Sequence, residues 1–212
     1  EAAPREPPFF FPRLSAAAEL PPVAAAVNSP RFSPLLSGAV LVAATLAAYA
    51  NTFAVPFVFD DVAAITQNPS LAHFSTAFFP PDGLSVSGRP LANLSFALNY
   101  AISGESVWSY HAVNLALHVA NTLLLFALLR RTLSGGRSLL AGDSVPFTAA
   151  LLWSLHPLHT ATVTYVMQRT ELLVSLAVLG TLSAFARATT PAPGSGASRW
   201  LTLSVIACLL GM

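Results

Sequence analysis

Long apolar runs alternate with polar connections along this chain, and the run lengths set the first expectation. Residues 34–54 ("PLLSGAVLVAATLAAYANTFA") carry no charge. A helix of about 20 such residues, rising ~1.5 Å each, crosses a hydrocarbon layer roughly 30 Å thick. Further spans are read at 110–129, 146–156 and 170–186, and a fifth begins at 199 and runs to 212. Two loops separate them on one side. The first, 56–108, is broken by Pro69, Pro80, Pro81 and Gly83. It holds a short amphipathic piece near 73–79 and a helix in "RPLANLSFALNYAISG" that is too short and too polar to cross, so it is expected at the interface. The second loop is 156–169. Residues 1–33 are rich in Pro and Ala without a helical period, which predicts a disordered lead-in. The chain opens on Glu1 and stops within an apolar run, as expected of the N-terminal part of a longer protein.

Composition agrees with a membrane-embedded bundle: 54% of residues are hydrophobic, 9% are charged, and the mean hydropathy is +0.64. All ten basic residues are Arg, and they are scattered rather than clustered, which argues against nucleic acid as a partner. Their placement also orients the chain. Arg5, Arg13, Arg31, Arg130, Arg131, Arg137, Arg187 and Arg199 fall on one side of the layout, and Arg89 and Arg169 on the other. By the positive-inside rule the N-terminus is cytoplasmic and both long loops lie on the opposite face. The lone Cys208 allows neither a disulfide nor a cysteine metal centre.

Against this sparse charge, a few polar positions stand out. Asp60 and Asp61 follow an apolar segment directly, and neighbouring residues point different ways, so the pair should serve two partners rather than share one proton. They fit a helix cap at the membrane edge, or a general base and cation ligand facing a substrate in the bilayer. Arg89, fixed ahead of Pro90, suits a phosphate or a headgroup anchor. His111, Asn114, His118 and Asn121 recur at helical spacing, a polar stripe suited to interhelical hydrogen bonds; a metal site is the weaker alternative. The second loop gathers His156, His159, Gln168, Arg169 and Glu171 on the face expected to hold the aspartates. Arg169 and Glu171 fit either an ion pair at a helix start or a site shared with Asp60 and Asp61.

In order, "FVFDD…I…NP", "RPL…SFALNY…G", "H..N..LH..N.LL…LLRR" and "LLWSLHPLHT…V.YV.QR.ELL" resemble the transmembrane, tetratricopeptide-repeat-containing O-mannosyltransferases and their bacterial relatives. The resemblance implies an all-α integral membrane protein, a multi-span GT-C-like helical bundle with interfacial helices in its first outer loop. It implies an inverting transfer of a sugar from a polyprenyl-phosphate-linked donor to a protein or glycan acceptor hydroxyl at the bilayer surface, with repeats expected downstream. The acidic residue of the first outer loop, Asp60 or Asp61, would be the base. Arg89 or Arg169 would face the phosphate, and His156 or His159 the phosphate or sugar, with Glu171, His111 and His118 as further substrate-binding candidates. No cofactor is demanded; a divalent cation is compatible. The implied location is a bacterial inner membrane, as the Ala- and Arg-rich, Lys-free usage suggests, or the endoplasmic reticulum in a eukaryote. One departure stands out: Ala161 occupies the place where the family commonly has Glu. Glu171 would have to compensate, or the protein is an inactive scaffold. A transporter or flippase for lipid-linked sugar is the remaining alternative.

Overall fold

The computed structural model describes residues 33–133, 143–189 and 196–211, so residues 1–32 of the expected lead-in and Arg137 lie outside the described residues. Among the described residues all regular structure is helical: α1 Pro34–Ala48, α2 Phe74–Ala77, α3 Pro90–Ser103, α4 Val107–Leu133, α5 Ser144–Ser154, α6 His159–Thr164, α7 Arg169–Thr189 and α8 Ala197–Leu210. Three stretches are long and apolar enough to cross a membrane, Pro34–Ala54, Val107–Leu133 and Val166–Thr189. The apolar runs at 146–156 and 199–212 form the shorter α5, of 11 residues, and α8, of 14. A helix needs about 20 residues to span unaided, so these two lean on their neighbours. The fold is an all-α membrane bundle.

The 27-residue α4 is the axis, packed by α1, α5 and α7, while α8 lies along α7. Leu35, Leu152, Val178, Leu182, Val205 and Leu209 point outward, the pattern of a surface that meets lipid instead of water. Three contacts fasten the ends of the bundle. The Arg130 Nε–H donates to Asp143 Oδ1 at 2.6 Å, joining the end of α4 to the start of α5. The guanidinium groups of Arg187 and Arg199 lie 4.9 and 5.3 Å from the Trp200 ring, holding the α7–α8 corner by cation–π attraction. At the far end of α8, a Cβ on Gly211 would stand 2.6 Å from Ala177 Cβ, so only glycine allows that approach to α7.

The first loop is not loose. Ala64, Ile65, Leu71, Ala77, Val86, Phe96, Ala97 and Tyr110 bury a core there, closed by Val166 and Met167 of the second loop. Its polar centre is fully paired. Asn68 Nδ2 donates to Ala64 O (3.0 Å) and Asn93 Oδ1 (2.9 Å), and Asn93 Nδ2 donates to Ser70 Oγ and Ala77 O, both at 2.9 Å. An unpaired amide would be costly at this depth, so the network fixes α3 against the turn at Asn68–Pro69. Asn93→Ala removes three of these bonds, although Asn68 Nδ2 and Ser70 Oγ keep other partners, and is expected to cost about 2 kcal/mol, read as a lowered thermal midpoint of the detergent-solubilised protein.

Candidate functional site

The aspartate pair sits on one strained turn. Phe59 has φ 48°, a left-handed conformation that a bulky side chain adopts at a cost of about 1–3 kcal/mol, and its ring is 87% exposed. A π-helical turn, Val62–Thr66, follows, closed by Gln67 N–H on Val62 O. Strain and π-turns persist where the surroundings enforce them, often at sites of chemistry. Asp61 stands at the N-cap position of that turn, but its side chain makes no capping bond to it. Asp61 is 1% exposed and accepts the Val58 N–H at Oδ2 (3.2 Å) and the Met167 N–H at Oδ1 (2.7 Å), stapling the two loops together. Burial raises its carboxyl above the usual carboxylate range, opposed by the backbone donors of Val58, Met167 and Val166. Asp60 is exposed, and its backbone N–H donates to Tyr165 Oη at 3.2 Å. The Tyr165 ring meets Phe59 edge-on at 6.3 Å, and burial, followed by the nearby aspartates, raises its phenol pKa. The turn therefore presents one carboxylate to the surface and uses the other as an anchor.

The structure gives Arg169 a different surrounding from Glu171. Its side chain is 0% exposed and lies among helices. Nε–H donates to Asn114 Oδ1 (2.8 Å), Nη1 to Asn99 Oδ1 (2.6 Å), Ser95 O and Ser95 Oγ, and Nη2 to Tyr110 O (2.9 Å). The Phe96 ring lies 4.5 Å from its Cζ. Its donors are occupied, and it forms no ion pair with Glu171. Arg169 thus locks α3, α4 and α7 together two residues beyond the Met167 anchor.

The polar stripe of α4 is entirely buried and points to neighbouring backbone. His111 Nε2 donates to Val55 O (2.9 Å), His118 Nε2 to Ser154 O (3.0 Å), and Asn121 Nδ2 to Leu172 O (3.0 Å). Ser154 O is one of the last carbonyls of α5, left without a helical partner, and Tyr49 Oη reaches it too, at 3.3 Å. His111 and His118 therefore sit in interhelical bonds rather than on an open surface. Among the described residues no group of three His, Cys, Asp or Glu gathers as metal ligands would.

The other candidates separate into two places. His159 packs against Trp153 (4.4 Å between ring centroids) and His118 (5.1 Å), with His156 at 6.5 Å; burial, then the neighbouring His156, lowers the His159 pKa. Arg89 and Glu171 line a cavity of about 570 Å³ between the start of α3, the first turns of α7 and the end of α8. The structure joins Asp60 and Asp61 to the second loop through Tyr165 and Met167, neither of them charged. Tyr165 did lie within the "V.YV.QR" string, where an aromatic between two β-branched residues reads as core. Phe59→Gly is expected to raise stability by about 1 kcal/mol, by relaxing the left-handed residue, yet to weaken any activity that depends on Asp60; thermal unfolding and turnover of the same preparation check both.

Compared with curated proteins, the chain is 31% identical over 202 residues to protein O-mannosyl-transferase Tmtc3 of Drosophila melanogaster, covering 84% of this chain and 22% of that protein. It is 36% identical over 143 residues to protein O-mannosyl-transferase TMTC2 of Homo sapiens, covering 62% and 16%. With protein O-mannosyl-transferase TMTC3 of Homo sapiens it shares 34% identity over 164 residues, covering 72% and 17%. The chain spans about a fifth of the length of the curated relatives it matches. No family model matches it, and no solved structure matches it significantly.

Proposed function

This chain belongs with the protein O-mannosyl-transferases over the stretch it shares with them, and from that premise we propose that it carries the base-bearing part of a membrane glycosyltransferase. The sugar is mannose, as the relatives' names have it; the donor is a polyprenyl phosphate and the acceptor a protein hydroxyl. The reaction face is the one opposite Arg130 and Arg131, periplasmic in a bacterium or lumenal in a eukaryote, with the N-terminus cytoplasmic. The arginine distribution supports that orientation.

The observation that carries the reading is the turn at Asp60. An exposed carboxylate follows a strained residue, its backbone is tied to Tyr165, and the buried Asp61 anchors the turn to the second loop. That is how a general base is held at fixed geometry on an accessible surface. Asp60 takes the acceptor's hydroxyl proton as the oxygen attacks the anomeric carbon. The bond from that carbon to the phosphate oxygen breaks, the configuration inverts, and the polyprenyl phosphate departs.

Membranes containing the full polypeptide, supplied with radiolabelled mannosyl polyprenyl phosphate, are expected to pass label to protein, and Asp60→Asn to stop it at unchanged expression. Unaltered transfer in that variant overturns the assignment of the base. Label that crosses sealed vesicles without reaching protein, with or without Asp60, favours a transporter instead. Absence of both transfer and transport favours a scaffold, the alternative raised by Ala161.

A further inference from the structure

The end of the bundle away from the Asp60 turn gathers cations without acids to match them. Arg130, Arg131, Arg187 and Arg199 lie there, and among the described residues Asp143 is the acid at that end, already engaged by Arg130 at 2.6 Å. Arg131 donates its Nε–H to Ala186 O at 3.2 Å, which brings its guanidinium to the last turn of α7. Arg187, in that same turn, and Arg199, in the first turn of α8, converge on one indole: their Cζ atoms lie 4.9 and 5.3 Å from the centre of the Trp200 ring.

That contact holds the corner but leaves both charges unanswered. An aromatic ring attracts a cation through its π-face and takes up none of the five N–H donors of a guanidinium. Among the described residues neither Arg187 nor Arg199 donates a hydrogen bond or forms an ion pair. Two like charges beside one ring also repel, and an anion between them turns that repulsion into attraction. Two guanidinium forks suit the oxygens of a phosphodiester.

Depth selects the kind of phosphodiester. Trp200 is half-buried where α7 and α8 meet at the edge of the apolar layer, the level at which indoles sit beside lipid headgroups. Phe185, two residues before Arg187, and Leu203, about one helical turn beyond Arg199, are exposed on the apolar side of the arginines. A free phosphate ion reaches the guanidinium groups and leaves these side chains bare; a phospholipid covers both. A zwitterionic headgroup brings its own cation, whereas an anionic one answers the excess of positive charge.

We infer that the α7–α8 corner binds an anionic phospholipid of the leaflet at the Arg130–Arg131 end, its phosphate held by Arg187 and Arg199 beside Trp200 and its acyl chains lying over Phe185 and Leu203. The site uses no residue of the Asp60 turn and stands whether or not the chain transfers a sugar.

The full polypeptide in phosphatidylcholine nanodiscs, with a minor share of phosphatidylglycerol brominated on its acyl chains, reports the site through quenching of tryptophan fluorescence. Trp108 and Trp153 lie toward the other end and supply a background common to both lipids. Brominated phosphatidylglycerol is expected to quench at a share of the lipid at least about tenfold lower than brominated phosphatidylcholine needs. Each arginine is expected to supply about fivefold, equivalent to about 1 kcal/mol. Arg199→Gln, exposed on α8, therefore loses about fivefold of the preference, and Arg187→Gln with Arg199→Gln nearly all of it. Arg89→Gln, which removes one positive charge at the opposite end, keeps the parent's preference.

Equal quenching by the two lipids in the parent overturns the site, and so does a preference that Arg199→Gln and the double variant both retain. An equal loss in Arg89→Gln does so too, because it traces the preference to net charge alone. Displacement of the brominated lipid by inorganic phosphate makes the corner a site for a free anion and overturns the lipid assignment. Mannose transfer and lipid selection are read in separate assays, so either reading can fail while the other holds.

Discussion

Arg169→Met is expected to yield no folded protein after extraction in mild detergent, even though methionine fills much of the same volume. The substitution strands the two amide oxygens that the guanidinium now satisfies, Asn114 Oδ1 and Asn99 Oδ1, and removes its added bonds to the helical carbonyls Ser95 O and Tyr110 O. Each buried polar group left unpaired costs about 1–3 kcal/mol, and two of them, with the lost carbonyl bonds, take up much of the modest net stability of most folds. The contact with Phe96 goes as well. Arg169→Lys keeps the charge but brings three donors from a single atom in place of a planar fork, so it is expected to recover only part of the loss. Size-exclusion profiles and thermal midpoints of the two variants beside the parent check this. A parent-like midpoint for Arg169→Met would remove Arg169 from its place as the lock between α3, α4 and α7.

Asp60→Asn and Asp61→Asn, adjacent and chemically identical changes, are expected to differ sharply. Loss of a general base typically lowers turnover by about 10²–10⁴-fold. Asp60→Asn should show that loss with little change in stability, because its exposed carboxylate has only Tyr165 beside it and the backbone bond to that phenol is kept. Asp61→Asn should keep most of the turnover. Its amide oxygen still accepts the Met167 N–H, while its NH₂ replaces an acceptor for Val58 N–H, a loss of about 1 kcal/mol. Asp61→Ala breaks both bonds and should lower stability and turnover together. A pH series separates the two further. Burial raises the Asp61 carboxyl in the folded protein, so the fold holds that proton more tightly than the unfolded chain does. Its contribution to stability is therefore greatest below the ordinary carboxylate range and declines as pH rises through the raised folded value. Asp61→Asn removes that decline, whereas Asp60→Asn leaves it in place.

Three of the five expected spans and the meeting of the two loops were legible in the sequence, because each leaves a local mark. An uncharged run of about 20 residues has few other uses, and the charge in an otherwise apolar chain is concentrated at Asp60–Asp61 and at 156–171. The burial of Arg169 was not legible. Its acceptors are dispersed over Ser95, Asn99, Tyr110 and Asn114 on two other helices, and no spacing within the second loop points to them. An arginine at the start of an apolar run reads as a surface cation until those helices are seen to converge. The same limit separated Glu171 from Arg169: two residues apart on the first turn of α7, about 200° round the helix, one side chain points into the bundle and the other into the cavity beside Arg89. The α4 stripe was readable as a buried face from its period alone, but its partners, the carbonyls of Val55, Ser154 and Leu172, are set by where other helices stop or pass.

The position of the Arg169 acceptors in the chain bears on how the protein is made. Residues 95, 99, 110 and 114 all precede Arg169, by 55 residues or more. A chain synthesised from its N-terminus has laid down the whole acceptor cage before that arginine leaves the ribosome. A span beginning with an unsatisfied guanidinium is costly in hydrocarbon, yet this one enters a membrane where its partners already wait. Vectorial synthesis thus turns the most expensive side chain in the bundle into the signal that docks α7 in register.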